Sequence, residues 1–264
     1  MTKTCERQVL ESRGHQAEDE VDVLGVRFDR LSRASALSIM KRTFGSRRAF
    51  KVYISNAHTV NLACADERFR KVLNRADLLL NDGIGVQIAS RLAGKPFVDN
   101  LVGTDLTPQI CEEAARAGIS VFLLGGETAL VDKAAAGLRE RVPGVRIAGT
   151  HHGYFSEVMD AVVVDVINRS GAGILLVGFG NPIQETWINR NAHRLQCDLC
   201  IGVGGLFHHL SGRLRRAPGW ARSMRVEWVF ILMSQPHKWR RYLLGNPLFL
   251  FRILRDRLLW RRPA

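Results

Sequence analysis

Residues 173–188 read GILLVGFGNPIQETWI, and this stretch decides the fold class. The apolar run at 173–178 has the length and the bounding glycines of a buried β-strand, and a helical pattern begins at Ile183. Glycine, asparagine and proline, which are typical turn residues, separate the two. The stretch therefore predicts a strand, a turn and a helix, which together begin a parallel βαβ unit.

The same alternation extends in both directions along the chain. Apolar runs predict further strands at 51–56, 77–81, 120–125, 144–149 and 198–203. Helical patterns predict helices at 57–73, 84–93, 104–117, 127–141, 156–170 and 183–194. Strands that alternate with helices of this length form a mainly parallel sheet covered on both faces. We therefore predict a doubly wound, Rossmann-like α/β domain.

Composition places the chain among globular proteins with one main domain. Its 264 residues are 46% hydrophobic and 24% charged, values outside the disordered and collagen-like classes. Residues 1–20 are polar and aperiodic, so we predict a mobile leader followed by an α/β domain over 21–211. The N-terminus lacks the apolar core of a secretory signal, and the five cysteines are an odd set, so we expect a reducing cytoplasm.

Positive charge is concentrated at the C-terminal end. The net charge is +13, and residues 211–264 hold 13 Lys and Arg against two acids, Glu227 and Asp256, a net of +11. A nearly neutral body with a cationic tail indicates docking on a polyanion, either a nucleic acid or an anionic membrane surface.

The tail, residues 212–264, also has a helical and apolar character. Arginine is interleaved with Trp, Phe and Leu, and prolines mark the starts of about three short helices, at Pro218, Pro236 and after Asn246. Its longest apolar run, 228–233, is far below the roughly 18 residues that suggest a transmembrane helix. We predict a basic helical appendage that lies on a membrane. A helix packed on the body with solvated arginines is the alternative.

Glycines recur where the predicted strands end. Gly125, Gly126, Gly178 and Gly204 are at such positions, where glycine permits tight turns and brings backbone N–H groups close to a phosphate. Open α/β sheets bind ligands outside the carboxyl ends of their strands, so we predict a nucleotide-type ligand at this edge, which we call the rim. No run matches a GxGxxG fingerprint or a Walker A loop. Ordinary turn glycines are the alternative.

Asp82 is the candidate catalytic residue. It follows the apolar strand DLLLN directly and precedes Gly83. A carboxylate beside a helix N-terminus is held ionised and suits a general base that deprotonates a hydroxyl. An N-cap aspartate is the alternative, and local sequence does not separate the two.

Further polar residues are expected at the rim. Gln184 suits hydrogen bonding to a sugar or a base edge, and Asn56 ends the first strong strand. Glu185 is either a rim residue or the capping partner of its own helix.

No metal site is predicted. Cys197 and Cys200 form a CxxC pair without a second pair, and the side chains of the adjacent histidines 151–152 and 208–209 are expected to point apart on strands.

Taken together, the ordered motifs resemble the WecG/TagA/CpsF family of bacterial glycosyltransferases. The motifs are Asn56, RADLLLNDGIGV (75–86), GTDL (103–106), FLLGG (122–126), GTHHGYF (149–155), VGFGNPIQETWI (177–188), IGVGGLF (201–207), SGRLRRAPGW (211–220) and VEW (226–228). The resemblance implies an inverting hexosyltransferase or N-acetylhexosaminyltransferase that works without a metal. It would move a sugar from a UDP-sugar to a polyprenyl-diphosphate-linked saccharide in surface polysaccharide synthesis, as a peripheral protein on the cytoplasmic face of the membrane. No cofactor besides the donor substrate is implied.

The resemblance also implies roles for particular residues. Asp82 corresponds to the catalytic base, and Asn56 and Gln184 correspond to polar residues of the pocket. The other substrate-binding candidates are Asn100, Thr104, Gly125, Gly126, Gly178, Glu185, Gly204 and His208. The basic tail would close over the site of the catalytic domain, with arginines near the acceptor diphosphate or the membrane: Arg213, Arg215, Arg216, Arg222, Arg225, Arg240 and Arg241.

The chain departs from the family pattern at three positions. Ile54, Asn100 and His208 stand where many members carry threonine, arginine and aspartate. The donor and the acceptor are therefore not inferred from the better-known members. A nucleotide-sensing or nucleic-acid-binding module is the alternative function, but no nucleic-acid-binding motif is recognisable and we expect no such partner. Self-association stays open, since a partner subunit could also cover the apolar tail.

Overall fold

The computed structural model describes residues 20–214 and 239–260. The strands are β1 (Glu20–Val23), β2 (Val26–Asp29), β3 (Phe50–Ser55), β4 (Leu78–Asn81), β5 (Ser120–Leu124), β6 (Arg146–His151), β7 (Ile174–Val177) and β8 (Leu199–Gly202). The α-helices are α1 (Arg33–Lys41), α2 (Ala57–Ala65), α3 (Glu67–Asn74), α4 (Ile84–Leu92), α5 (Gly103–Arg116), α6 (Thr128–Arg141), α7 (Asp160–Arg169), α8 (Ile183–Asn191), α9 (Leu206–Leu210) and α10 (Asn246–Trp260). A 3₁₀ turn, Glu157–Met159, precedes α7, and a π-helix, Arg240–Gly245, precedes α10.

Six strands form one parallel sheet in the order β4-β3-β8-β7-β5-β6. Alternate residues of its strands enter different cores, because successive side chains of a strand point to opposite faces. In β5, Val121 and Leu123 join the core formed with α1, α5, α6 and α9, whereas Phe122 and Leu124 join the core formed with α2, α3, α7 and α8. Helices thus cover both faces, and the predicted doubly wound fold is confirmed.

The sheet has a switch point between β5 and β7. The two strands are neighbours, but the chain leaves β5 toward β6 at the edge and leaves β7 toward β8 on the opposite side. Such a switch opens a crevice at the carboxyl ends of the strands. The two loops pass so closely that a Cβ on Gly125 would lie 2.7 Å from the carbonyl oxygen of Gly178.

The prediction is wrong over residues 57–73 and omits a hairpin near the N-terminus. The helix expected over 57–73 is divided, because the backbone of Asp66 is extended and its carboxylate accepts hydrogen bonds from the N–H groups of Arg68 and Phe69, which starts α3. The antiparallel hairpin of β1 and β2 was not expected. Its turn is formed by Leu24 and Gly25, both with positive φ angles.

The C-terminal helix packs on the body. Phe249 and Ile253 of α10 are buried in the core that contains α2 and α4. The Asn61 amide of α2 donates to the carbonyl of Gly245 (2.7 Å), and the guanidinium of Arg252 donates to Asn61 Oδ1 (2.7 Å). The π-helix runs directly into α10, so Asn246 does not cap a separate helix. The helices expected near Pro218 and Pro236 lie outside the described residues.

None of the helices within residues 20–214 and 239–260 is both long enough and apolar enough to cross a membrane.

Gly137 of α6 gives a direct test of the packing between α6 and α9. A Cβ at this position would lie 1.9 Å from the carbonyl oxygen of Leu210, so the two helices would have to separate. We expect Gly137→Ala to lower the free energy of unfolding by about 1–3 kcal/mol, even though alanine favours helix formation by about 1 kcal/mol. Urea unfolding measures the change. Gly205→Ala is the matched control, since nothing lies within 4 Å of its Cβ position. Equal stability of the two variants would contradict this packing.

Candidate active site

The ends of β3 and β4 bring two of the predicted residues together at the rim. Ser55 and Asn81 are paired in the sheet, and Asn56 and Asp82 follow them directly. The backbone N–H of Asp82 donates to the carbonyl of Ser55 (2.9 Å). The half-buried Asp82 side chain therefore extends from a backbone that is bonded to the neighbouring strand end.

A second segment, 99–101, holds the turn that carries Asp82. The Asn81 side chain donates to the carbonyl of Asp99 (2.9 Å), and the N–H of Leu101 donates to the carbonyl of Asn81 (3.0 Å). Asn100 Oδ1 accepts from the N–H of Gly83 (2.9 Å). The residues on both sides of Asp82 are thus fixed, and Asn100 acts here as a hydrogen-bond acceptor for the turn.

Asp82 is not the N-cap of the helix that follows. The N-cap of α4 is Gly83, whose φ of 86° favours glycine, and no side chain caps that helix. Asp82 lies one residue before the cap, at the positive end of the α4 dipole, where a negative charge is stabilised.

Asn56 is the N-cap of α2. Its Oδ1 accepts hydrogen bonds from the N–H groups of His58 (3.1 Å) and Thr59 (3.3 Å), and Thr59 completes a capping box. The amide oxygen is therefore engaged by the helix, and the half-buried Asn56 fixes the start of α2 beside Asp82.

Gln184 is buried below the rim, with 1% of its surface exposed. Its Oε1 accepts from the N–H groups of Gly204 (2.9 Å) and Gly180 (3.2 Å), and its Nε2 donates to Glu185 Oε1 (2.8 Å). The side chain thus joins the loop after β7 to the loop after β8. A Cβ on Gly202 would lie 2.9 Å from Gln184 Nε2, so this position also needs glycine.

Glu185 is fully buried beside Gln184. Its Oε1 also accepts from the side chain of Asn181, and its backbone carbonyl accepts from the hydroxyl of Tyr53 (3.1 Å). Burial raises the pKa of Glu185 to about 7, while hydrogen bonds from Gln184, from the backbone and from Asn181 oppose that rise. No side chain caps α8, so Glu185 is not the capping partner of its own helix. Its carboxyl contacts Gln184, Asn181 and its own backbone.

The raised pKa of Glu185 predicts a pH-dependent stability. The native carboxyl binds its proton more tightly than the unfolded one, so this contribution is fully present below about pH 4.5 and is lost as the pH rises through about 7. We expect wild type to lose about 2–3 kcal/mol relative to Glu185→Gln between about pH 5 and 8. Urea unfolding over this range measures the difference. Glu140→Gln, at an exposed position of α6, is the control. A difference that does not change with pH would contradict the assignment.

The other predicted residues occupy different parts of the rim. Gly126 follows β5 with a φ of 69°, and a Cβ on Gly178 would lie 2.7 Å from the Phe207 ring. Thr104 is half-buried in the first turn of α5, whose Gly103 packs against Ile54, and His208 is half-buried in α9.

The structure describes only three of the seven arginines that were predicted to lie near the acceptor diphosphate or the membrane. Arg213 forms a half-exposed ion pair with Glu127 (3.4 Å), just after Gly126. Arg241 is half-buried in the π-helix, and Arg240 lies beside it in the same helix. The remaining candidates lie outside the described residues: Arg215, Arg216, Arg222 and Arg225.

Within residues 20–214 and 239–260 no three His, Cys, Asp or Glu side chains are grouped as a metal site would require. Cys197 and Cys200 are buried with their sulfur atoms 3.1 Å apart. The expectation about the histidines was wrong. The rings of His151 and His152 lie 4.5 Å apart where β6 ends, and residues 208–209 belong to a helix.

Some site residues were missed by the sequence analysis. Asn181 lies inside the quoted turn of residues 173–188, and its polar side chain next to Pro182 was an available signal. Asn81 and Asp99 were not identifiable, because their contact joins segments 18 residues apart. The aromatic contact of Phe179 with Trp187 (5.8 Å) likewise depends on tertiary packing.

Comparisons with known proteins show which proteins this chain is similar to. A family model described as "Glycosyl transferase WecG/TagA/CpsF family" matches residues 21–263. An N-acetylglucosaminyldiphosphoundecaprenol N-acetyl-beta-D-mannosaminyltransferase of Bacillus spizizenii is 33% identical over 181 residues, which cover 69% of this chain and 70% of that protein. An enzyme of the same name from Staphylococcus aureus strain MW2 is 29% identical over 248 residues, 92% of this chain and 95% of its own length.

Proposed function

Since the chain belongs to the WecG/TagA/CpsF family of glycosyltransferases, we propose that it transfers an N-acetylhexosaminyl residue, with inversion, from a UDP-sugar to a polyprenyl-diphosphate-linked saccharide. The names of the two relatives support a lipid-linked acceptor and an N-acetylhexosamine donor. The observation that carries the proposal is the position of Asp82. It is a carboxylate at the rim, at the end of the edge strand β4, next to the end of β3 and beside the N-terminus of α4.

In the proposed reaction, the Asp82 carboxylate accepts the proton of an acceptor hydroxyl. The hydroxyl oxygen then forms a bond to the anomeric carbon from the face opposite UDP. The bond between the anomeric carbon and the UDP oxygen breaks, and its electron pair leaves with UDP. Because attack and departure occur on opposite faces, the anomeric configuration is inverted.

The departing UDP needs its negative charge stabilised. We propose that the glycine loops after β5, β7 and β8 border the departing diphosphate, with Arg213 and its ion-pair partner Glu127 beside the first loop. The N–H groups of Gly125, Gly178, Gly180 and Gly204 are bonded within the protein and thereby fix the shape of these loops. Groups that are fixed before the reaction need no reorganisation when the charge develops. We propose that these groups, rather than a metal ion, stabilise the leaving group.

The acceptor is a lipid, so the enzyme must meet a membrane surface. The side of α10 opposite the buried Phe249 and Ile253 exposes a continuous set of large apolar side chains. We call this set, together with Leu244 in the preceding π-helix, the α10 stripe: Leu244, Leu248, Phe251, Leu254 and Leu258. Arg255 is also exposed on this helix and can pair with anionic headgroups. We propose that the stripe holds the protein peripherally on the cytoplasmic face of the membrane.

Helix α10 packs beside the turn that carries Asp82. The Phe249 ring lies 3.7 Å from the Cβ position of Gly85, three residues after Asp82. The stripe is on the other side of α10, so we propose that a membrane-bound α10 holds this turn about one helix diameter, about 10 Å, from the membrane surface. Residues 215–238, which contain most of the predicted arginines, lie between the rim and α10 in the sequence.

A transfer assay tests the proposal. A panel of UDP-sugars is offered with polyprenyl-diphosphate saccharides in vesicles, with and without a chelator, and NMR of the product reports its anomeric configuration. We expect transfer from one donor that survives chelation and inverts the configuration. Failure of every donor, together with no UDP binding, would refute the proposed function; loss of transfer on chelation would refute metal independence alone.

A further inference from the structure

The loops after β7 and β8 are held together by a pair of buried side chains, Gln184 and Glu185. Gln184 Oε1 contacts the N–H groups of Gly180 and Gly204, one from each loop. Gly180 and Gly204 have positive φ angles of 83° and 52°, so both loops turn sharply at the residue that Gln184 contacts. The shape of this part of the rim therefore depends on one amide oxygen.

The orientation of that amide is set from both of its ends. The Nε2 end meets Glu185 Oε1 at 2.8 Å, and the Oε1 end meets two N–H donors. If the Gln184 amide were reversed, its NH₂ group would face the N–H groups of Gly180 and Gly204, and its oxygen would face Glu185 Oε1. All three hydrogen bonds would then be lost. Without an acceptor at position 185, the buried Nε2 would be left unsatisfied, which is unfavourable for a buried donor.

Glu185 is itself held in place by its surroundings. Its Oε1 accepts from Asn181, which belongs to the loop after β7, and its backbone carbonyl accepts from Tyr53 of β3. Its Oε2 is buried and meets no hydrogen-bond partner among the described residues. One carboxyl oxygen therefore makes all of the side-chain contacts. A neutral group that keeps this oxygen can replace the carboxylate.

We propose that Glu185 is a positioning residue for the sugar donor, because it orients Gln184 and thereby fixes the two loops that border the donor diphosphate in the proposed function. The donor part of this inference rests on the proposed function. The structural link from Glu185 through Gln184 to Gly180 and Gly204 is independent of the proposed function, because it concerns only the conformation of the loops. Gln184 therefore affects the sugar donor indirectly. It lies below the rim and holds the backbone of the two loops.

The test compares two variants of the full chain. Glu185→Met removes the acceptor at similar volume, whereas Glu185→Gln retains an acceptor oxygen. For Glu185→Met we expect about tenfold faster amide exchange at Gly180 and Gly204, and about a tenfold higher KM for the UDP-sugar with a smaller change in kcat. Glu185→Gln should remain within about threefold of wild type in both measurements. Glu140→Met, at an exposed site, is the control.

Amide exchange separates a local effect from a global one. Exchange in the loop after β5, at residues 124–128, should stay at the wild-type rate in Glu185→Met. Unchanged exchange at Gly180 and Gly204 in this variant would overturn the proposal, and so would equal damage from Glu185→Gln. If Glu185→Met does not fold, Gln184→Ala tests the same link and must accelerate exchange in both loops. Absence of sugar transfer by wild type would instead refute the proposed function and leave the exchange result intact.

Discussion

Replacing Asp82 with asparagine should lower kcat by about 10²–10⁴-fold, the range that a general base contributes, and leave UDP binding nearly unchanged. Asparagine has the shape of aspartate but cannot accept the acceptor proton. The hydrogen bond from the backbone N–H of residue 82 to the carbonyl of Ser55 does not involve the side chain, so the variant keeps it. Transfer kinetics, UDP titration and urea unfolding on the same preparation measure the three quantities.

Asp66→Asn provides the matched control for this experiment. Asp66 caps α3 at the end of α2 that is remote from the rim, and asparagine is an equally good N-cap. Its kcat should equal that of wild type. Normal turnover by Asp82→Asn would remove Asp82 from the role of base, and a large loss of stability would show that the carboxylate is a structural group.

Local sequence was sufficient for the positions of the main strands and for the rim. Apolar runs such as 174–177 end at glycines, and parallel strands bring their carboxyl ends to one edge, so Asp82 and the glycines had to lie there. The order of the strands was not predictable in this way. It depends on contacts between β3 and β8, which are separated by more than 140 residues in the sequence.

The roles of individual side chains were less predictable than their positions. Gln184 and Glu185 were placed correctly near a strand end, but their direction depends on how α8 packs against β3 and β8. The role of Asn100 was not predictable for the same reason. Its Oδ1 accepts a hydrogen bond from the N–H of Gly83, 17 residues away in the sequence, and no periodic pattern indicates such a contact. Periodicity reports which side of an element is apolar, and it carries no information about which polar group meets which.

The C-terminal tail was expected either to lie on a membrane or to pack on the body. Membrane contact and packing on the body are alternatives for a basic helical tail, yet α10 has one face packed on the body and another that is exposed and apolar. Phe249 and Ile253 are buried against the body, while Phe251 and Leu254 are 59% and 54% exposed. A helix turns by about 100° per residue, so these two pairs point in nearly opposite directions. Packing on the body is thus compatible with membrane contact.

Substituting both Phe251 and Leu254 with glutamate should abolish most of the membrane binding, with a decrease in affinity of about 10²-fold or more. Burial of one such side chain in an apolar phase contributes about 1.5–3 kcal/mol, and two added carboxylates are repelled by anionic lipid. Co-sedimentation with phosphatidylglycerol vesicles measures the affinity. The free energy of unfolding should change little, since both side chains are exposed.

The matched control places the same change on another exposed helical surface. Val158, in the 3₁₀ turn before α7, and Val162, in α7, are 87% and 52% exposed, and their replacement with glutamate should leave vesicle binding intact. Transfer to a short, water-soluble acceptor should be normal in both variants, whereas transfer to a vesicle-bound acceptor should fall only in the α10 variant. Equal sedimentation of that variant and wild type would contradict the membrane role. Tighter binding of wild type to duplex DNA than to vesicles at physiological salt would favour the nucleic-acid alternative, because purely electrostatic binding to DNA weakens steeply as salt rises.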